Sequence, residues 1–241
     1  MLLMLWGVPR SRSTAFFRMM IERGDFTTVH EPFSYLASFG RTEIGGKSTD
    51  TVSAVLAELR ALAAEGPVFV KETTDRRYPE VLADRSFLAE DAQHTFLIRH
   101  PRDTIASYLA IRPEASLHEI GFEAQYELYQ EVRSLTGREP VVMDADELTG
   151  RPVEMVEAYC AHVGIEFRPR ALTWQPSDRP EWRPMRRWHA EAAASSGWNA
   201  SQWSRSRETE RHPMFETCLE YHLPFYEELR RRRLVVLRGD L

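Results

Sequence analysis

The stretch "WGVPRSRSTAFF" at residues 6–17 joins the end of an apolar run to the start of a helical pattern, and it decides the fold. A turn that leads from a strand into a helix presents free backbone N–H groups and the positive end of the helix dipole. Two arginines and three hydroxyls added to this turn predict a phosphate or sulfate site, although a purely structural turn with solvated arginines is the alternative. The predicted anion-binding residues are Pro9, Arg10, Ser11, Arg12, Ser13 and Thr14.

Short apolar runs recur along the chain with helical stretches between them. This alternation is typical of a parallel sheet covered by helices. We therefore predict an α/β fold of three layers, in which helices flank a central parallel sheet as in P-loop proteins, and a single domain over residues 1–241. The predicted strands lie at residues 2–6, 26–29, 68–70, 95–98 and 141–143.

Capping and breaking residues predict where the helices begin and end. Ser13, Asp50 and Asp103 each precede a helical pattern in the way that an N-cap residue does. Gly24 follows the first helical pattern and is expected to end it. Pro224 lies inside the last helical pattern, where proline is expected to kink or break the helix.

Residues 173–213 differ from the rest of the chain because they show little periodicity and hold five of its six tryptophans. We predict an irregular, tryptophan-rich cover over the edge of the sheet, since long loops of this kind are usually functional or mobile. The indole rings could contact an apolar or aromatic acceptor or could pack against the sheet. These residues are Trp174, Trp182, Trp188, Trp198 and Trp203.

The composition excludes several classes of protein. A formal net charge of −5 argues against nucleic-acid binding through a general positive field. No stretch approaches the roughly 18 apolar residues that span a membrane, and the apolar N-terminal run is too short for a signal peptide. Cys160 and Cys218 fit buried free thiols. We expect a cytoplasmic protein whose partner is a small molecule. We expect it to bind neither nucleic acid nor a membrane. The sequence is compatible with a homodimer as well as with a monomer.

A second turn with the same plan follows the predicted strand at 95–98, in "LIRHPRDTIASY". Arg99 stands at the carboxyl end of this strand, and Ser107 lies one turn into the next helix. A guanidinium fork and a hydroxyl can converge on one oxyanion if the chain folds back over Pro101. Two such turns in one sheet imply a ligand with two separated phosphates.

Three motifs in register resemble the PAPS-dependent sulfotransferases. Residues Pro9–Thr14 resemble the family's P-[KR]-S-G-T-[ST], and Arg99 with Ser107 completes R-x-P-x-D-x-x-x-S. The segment "MDADELTGRPVEMVEAYCAHVGI" at 143–165 is similar to the family's third conserved stretch. The "HEPF" stretch at 30–33 is closer to a divergent bacterial and plant branch than to the cytosolic aryl sulfotransferases.

The resemblance implies PAPS (3′-phosphoadenosine 5′-phosphosulfate) as co-substrate, its product PAP, and no metal. It implies that residues 10–14 hold the 5′-phosphosulfate and that Arg99 and Ser107 hold the 3′-phosphate. Ser196 and Gly197 are the nearest counterpart of the family's G-x-x-G-x-x-K segment, which this chain lacks. Arg12 replaces the family's glycine, so the loop either turns without a positive φ there or aims an extra guanidinium at the phosphosulfate.

Candidate catalytic residues follow from the chemistry of sulfuryl transfer, an in-line displacement helped by positive charge and by a base. Arg10 and Lys71 are expected to stabilise charge on the departing nucleotide, although Lys71 could simply reach solvent. Glu31 and His30 are candidate bases, with Glu31 favoured by the resemblance and His30 by its ordinary pKa. Both could instead cap the helix that begins at Pro32. Glu72 and Asp75 are further candidate bases.

The sequence therefore predicts an enzyme that transfers a sulfonate from PAPS to a hydroxyl or amine of a small molecule. A kinase using ATP and magnesium is one alternative, but the turn lacks the lysine of G-x-x-x-x-G-K-[ST] and has Arg12 where its second glycine would stand. A catalytically inactive nucleotide-binding protein is the other alternative. We find no His/Cys/Asp cluster with the spacing of metal ligands, because His189, His212 and His222 are widely scattered.

Overall fold

The computed structural model describes residues 1–198 and 209–236. Its main sheet has five strands, all parallel, in the order β2-β5-β1-β6-β7, and β3 and β4 form a separate antiparallel hairpin. This central sheet confirms the predicted α/β fold and each of the five predicted strands. The strands are β1 Leu2–Gly7, β2 Thr27–His30, β3 Thr42–Ile44, β4 Lys47–Thr49, β5 Val68–Thr73, β6 Ala92–Ile98 and β7 Val141–Asp144.

Helices cover both faces of the sheet. The cover segment at 173–213 is more regular than predicted, because its alanine-rich part folds into a helix, α9, after a 3₁₀ turn at Pro180–Met185. The helices are α1 Ser13–Arg23, α2 Pro32–Phe39, α3 Val52–Glu65, α4 Pro79–Ala83, α5 Pro101–Leu109, α6 Phe122–Thr136, α7 Ala145–Gly150, α8 Pro152–Val163, α9 Arg186–Ala194 and α10 Phe215–Arg231.

Strand β1 shows how the two hydrophobic cores arise. Its side chains alternate between the two faces, as they do in any strand. Met4 and Trp6 enter the core that α3, α6 and α10 cover, whereas Leu3 and Leu5 enter the core that α1 and α8 cover. Because both faces are buried, the whole strand is apolar, as expected for a parallel sheet.

Several helix ends differ from the predicted ones. The N-cap of α1 is Arg12 and not Ser13, and the N-cap of α3 is Thr51, whose hydroxyl accepts from the amide of Ala54. His100 caps α5 through its ring, while Asp103 lies inside the first turn. Gly24 ends α1 in the left-handed conformation, as predicted.

Two further features depart from the sequence reading. Helix α10 runs unbroken through Pro224, because its buried face, including Leu219 and Tyr226, is held against the core. The hairpin β3–β4 turns at Gly45 and Gly46, both with positive φ, as a tight two-residue hairpin turn requires.

Among the described residues, no helix combines the length and apolarity needed to cross a membrane.

Candidate functional site

The candidate site lies where four neighbouring strands end on the same edge of the sheet. The loop after β1 carries Arg10, β6 leads directly into Arg99, and β2 ends beside Glu31. Lys71 lies within β5, paired across the sheet with His30 of β2. Parallel strands present their carboxyl ends together, so the order β2-β5-β1-β6 assembles residues that are far apart in sequence.

The loop after β1 has an unusual backbone. Arg10 and Arg12 both adopt φ 68°, in the left-handed region that is costly for any residue with a Cβ. Of the two alternatives for Arg12, a turn without a positive φ is therefore wrong. Gly7 is needed at the start of the loop, because a Cβ there would lie 2.8 Å from Ser11 Oγ. Left-handed residues in a loop are often tolerated at functional sites, where the surroundings hold the strain.

The two predicted anion turns each hold a buried polar atom that has no hydrogen-bond partner in the described part of the chain. These atoms are Ser11 Oγ and Arg99 Nε, and both residues are buried. Burial and the neighbouring guanidinium of Arg12 lower the pKa of Arg99 to about 10. Buried polar atoms nearly always have partners, so these two fit an anion that binds here.

Arg10 connects the two predicted anion turns. Its Nε donates to Ser107 Oγ at 2.7 Å, and its carbonyl oxygen accepts a hydrogen bond of 2.9 Å from Arg99 Nη1. The rest of its guanidinium contacts α9, donating to the carbonyl of Trp188 at 2.7 Å and to the Glu191 carboxylate at 2.6 Å. Residues from α5, from α9 and from the end of β6 thus meet on Arg10.

The Arg12 guanidinium reaches towards α7. It donates to Asp146 at 2.7 Å, to Thr149 Oγ1 at 2.9 Å and to the carbonyl of Ala145 at 3.2 Å. The same side chain lines the cavity beside the loop. Arg12 therefore ties the loop to the segment after β7 while it contributes positive charge to the site.

Two adjoining cavities occupy this edge of the sheet. The first has a volume of about 160 Å³ and is lined by loop residues 9, 10 and 12–15 and by Glu31 and Lys71. The second has a volume of about 300 Å³ and is lined by Arg99 and Ser107, the predicted 3′-phosphate pair. Both cavities share Arg10, Arg99, Arg187 and Glu191 in their walls. Most of the predicted binding residues therefore line these two cavities, and Ser11, Ser196 and Gly197 do not.

Lys71 and Glu31 form a buried ion pair in the wall of the first cavity. Lys71 is only 2% exposed, so it does not reach solvent. Burial by itself would raise the pKa of Glu31, but the Lys71 ammonium outweighs it and holds that pKa at about 2. This ion pair lowers the basicity of Glu31, and its role as the base stays a prediction.

Glu72 has a structural task that makes it unavailable as a reserve base. Its carboxylate accepts from the amides of Phe33 and Ser34 at the start of α2, from Ser34 Oγ and from its neighbour Thr73. It therefore caps α2, which the side chain of Glu31 does not do. The side chain of Glu72 is fully buried, and burial raises its pKa to about 8.

The structure also places His189 at this site. It is not among the predicted site residues because the histidines of this region are far apart in the sequence. It lies on α9, and its Nδ1 is 3.2 Å from Thr14 Oγ1, 175 positions away in the chain. Its ring packs edge-on against His30 with centroids 4.8 Å apart. Only the WHxE pattern at the centre of the tryptophan-rich segment could have drawn attention to it from sequence.

A ring nitrogen of His30, a ring nitrogen of His189 and a carboxylate oxygen of Glu31 lie within 4.8 Å of one another. Two imidazoles and a carboxylate are a donor set for a divalent transition metal. The Lys71 ammonium on the same carboxylate opposes a cation there. The predicted absence of a metal stays a prediction.

Ser196 and Gly197 lie away from this edge. The Ser196 carbonyl accepts from the amide of Trp174 at 3.3 Å, and Gly197 forms a β-bridge with Thr173. Neither is among the described residues that line the two cavities. Their predicted role in nucleotide binding receives no support from this placement. Trp203 falls outside the described residues.

A parallel sheet with arginines in the strand-to-helix turns at one edge defines an α/β protein, and such turns are where proteins of this class commonly bind anions. Residues 1–233 match the family model described as "Sulfotransferase domain", and the chain therefore belongs to the sulfotransferase family. This confirms the family that the sequence motifs resemble.

Curated relatives and solved structures also resemble the chain. "Branched-chain-amino-acid aminotransferase-like protein 2" of Arabidopsis thaliana is 26% identical, covering 93% of this chain and 40% of the relative. Protein 1 of the same name and organism is 25% identical over 93% of this chain and 41% of its own length. The chain thus spans about two fifths of these relatives.

Among solved structures, the "Sulfotransferase Domain from the Curacin Biosynthetic Pathway" has a TM-score of 0.47 and 14% identity, covering 89% of this chain and 96% of that one. The "Sulfotransferase from Alicyclobacillus acidocaldarius" has a TM-score of 0.48 and 15% identity, covering 83% of this chain and 97% of that one.

Proposed function

We propose that the protein transfers a sulfonate group from PAPS to a hydroxyl or amine of a small-molecule acceptor. The observation that carries this proposal is the pair of anion turns after β1 and β6, joined through Arg10 and opening into adjoining cavities. A nucleotide with phosphates at both its 3′ and 5′ positions needs two such sites.

The residues present fit this donor. Ser11 Oγ and Arg99 Nε are buried polar atoms without partners in the described chain, one in each turn, and each can donate to an anionic oxygen. Arg10 and the free amides at the start of α1 would hold the 5′ end, while Arg99 and Ser107 would hold the 3′-phosphate. PAPS would supply the sulfonate and leave as PAP.

The chain's own contribution to catalysis is positive charge and position. Arg10, Arg12 and Lys71 line the first cavity, where charge develops on the departing phosphate. Lys71 is fixed by Glu31, so its ammonium is already oriented before the reaction begins. Preorganised charge in a buried site stabilises a transition state more than mobile charge in water does.

Calorimetric titration of the purified protein tests the proposal. We expect PAP, the 3′,5′-bisphosphate of adenosine, to bind more tightly than 5′-AMP and more tightly than ATP with magnesium. Tighter binding of ATP with magnesium would replace the proposal with the kinase alternative. PAP binding without consumption of PAPS in the presence of any tested acceptor would favour an inactive nucleotide-binding protein.

A further inference from the structure

Helix α9 brings to the candidate site a titratable group that the proposed chemistry has not yet used. His189 is 4% exposed and lines the first cavity together with Glu31, Lys71 and Thr14. Thr14 belongs to the loop that would hold the donor, and its hydroxyl contacts His189 Nδ1. His189 is therefore fixed between the donor loop and the wall that contains the Lys71–Glu31 pair.

The other ring nitrogen of His189 carries no such contact. Nε2 is buried, and within the described residues it has no hydrogen-bond partner. An unpaired imidazole nitrogen costs free energy unless a group from outside satisfies it. Because the ring lies in a cavity wall, the natural partner is a polar hydrogen of a molecule bound in that cavity.

Resting on the proposed sulfotransferase function, we propose that His189 is the base that accepts the acceptor's proton at Nε2, with Thr14 as the positioning residue for its ring. In the tautomer that this role requires, Nδ1–H donates to Thr14 Oγ1 and Nε2 carries the lone pair. The acceptor oxygen or nitrogen bonds to sulfur, and its proton passes to Nε2. The bond from sulfur to the bridging oxygen breaks, and its electron pair leaves with the phosphate.

The neighbouring candidates are less suited to this role. The Glu31 carboxylate is paired with the Lys71 ammonium, which makes it a weaker base than a free carboxylate. His30 has two unpartnered ring nitrogens among the described residues, but its side chain does not belong to the described lining of the first cavity. Of the three residues in the cluster, His189 alone has a ring nitrogen without a hydrogen-bond partner among the described residues and also lines the first cavity.

The position of His189 on α9 links proton transfer to the donor loop. The carbonyl of Trp188, the preceding residue, accepts from Arg10, and Glu191, two residues on, pairs with the same guanidinium. The base is therefore in place only while α9 rests on the loop that would hold the donor.

The test compares wild type, His189→Ala, His189→Gln and the control His118→Gln, which changes an exposed histidine outside both cavities. PAP affinity is measured by calorimetry, and PAPS consumption is measured as PAP release in water and with ethanol or phenol as simple hydroxyl probes. We expect both His189 variants to lose at least about 100-fold in turnover, the usual contribution of a general base. PAP affinity should stay within about threefold, and added imidazole should restore part of the His189→Ala turnover.

Each other outcome overturns the assignment. Turnover of both variants near the wild-type rate removes the base role, and a parallel loss of PAP affinity makes His189 a nucleotide-binding or structural residue. If chelators abolish turnover and added zinc restores it, the cluster of His30, Glu31 and His189 is a metal site instead. A wild-type protein that neither binds PAP nor consumes PAPS rejects the proposed function itself, which is distinct from an active wild type with active variants.

Discussion

At the scale of single residues, Arg99 is the most direct test of the predicted 3′-phosphate site. It donates to the Arg10 carbonyl, and its Nε has no partner among the described residues. Arg99→Ala should weaken PAP binding by about 1.5 to 3 kcal/mol, the worth of a hydrogen bond to a charged group, and should leave 5′-AMP binding nearly unchanged. Calorimetry with both nucleotides measures the difference.

Arg102→Ala is the matched control for Arg99→Ala. Arg102 is a nearby arginine that is partly exposed, pairs with Glu210 and does not line either cavity. It should bind PAP as wild type does. Equal affinities of PAP for wild type and Arg99→Ala would remove Arg99 from the site.

Arg12 permits a test of backbone conformation. Its φ of 68° costs any L-residue about 1 to 2 kcal/mol and costs glycine almost nothing. Arg12→Gly and Arg12→Ala both lose the ion pair to Asp146, so their difference isolates the backbone. Arg12→Ala should be about 1 kcal/mol less stable than Arg12→Gly in urea unfolding. Equal stabilities of the two variants would contradict the left-handed conformation.

Residues next to a strand end could be predicted from sequence, and residues brought in by distant segments could not. Arg10, Arg99 and Glu31 each lie within three residues of the end of a parallel strand, so the fold places them at one edge. The partner of Lys71 was not foreseen because the register of β2 against β5 is a tertiary feature. His189 depends on how a non-repeating cover segment folds back onto Thr14, which no local pattern encodes.

At the scale of elements, α9 holds Arg10 in a contact that a bound anion would replace. The Glu191 side chain is 45% exposed, and exposed ion pairs contribute only about 0.2 to 1 kcal/mol. Glu191→Ala should therefore strengthen PAP binding by a factor of about 1.4 to 5, because Arg10 becomes available to the ligand at lower cost. Calorimetric titration measures this change.

A control for Glu191→Ala removes an ion pair that is remote from the site. Glu58→Ala breaks the contact with Lys47 between α3 and the hairpin strand β4. It should leave PAP affinity unchanged. Weaker PAP binding by Glu191→Ala than by wild type would show that Glu191 supports the nucleotide site instead of competing for Arg10.

Elements with strong local signals were predicted well, and those with mixed signals were not. Four of the five strands of the parallel sheet follow from apolar runs, and β2 follows from the β-branched run Thr27–Val29. The hairpin at 42–49 was missed although Gly45 and Gly46 form a recognisable two-residue turn, because its strands have only three residues each. Helix α9 was missed because surrounding tryptophans and prolines obscure the helix-favouring alanines.

At the scale of the whole molecule, binding at the sheet edge should stabilise the entire fold. A ligand that binds only the native state adds about 2.7 kcal/mol at 100 times its Kd. For a chain of 241 residues this raises the melting temperature by about 5 to 10 °C. PAP should produce this shift in a thermal unfolding scan, and 5′-AMP at the same concentration should produce a smaller one. A larger shift from ATP with magnesium would contradict the proposed donor.

The hydrogen bond from Arg10 to Ser107 has a consequence for how the two anion sites influence each other. The Ser107 hydroxyl can donate to a 3′-phosphate while its oxygen still accepts from Arg10 Nε. A hydroxyl that donates to an anion is also a better acceptor, so the bound phosphate would strengthen the contact that orients Arg10 towards the 5′ end. Occupancy of one subsite would then lower the free energy needed to fill the other, which is positive thermodynamic coupling within a single ligand. A nucleotide without a 3′-phosphate would lose that contact and would also meet an Arg10 that is less firmly oriented. The difference in binding free energy between nucleotides with and without a 3′-phosphate would therefore exceed the contribution of one missing contact.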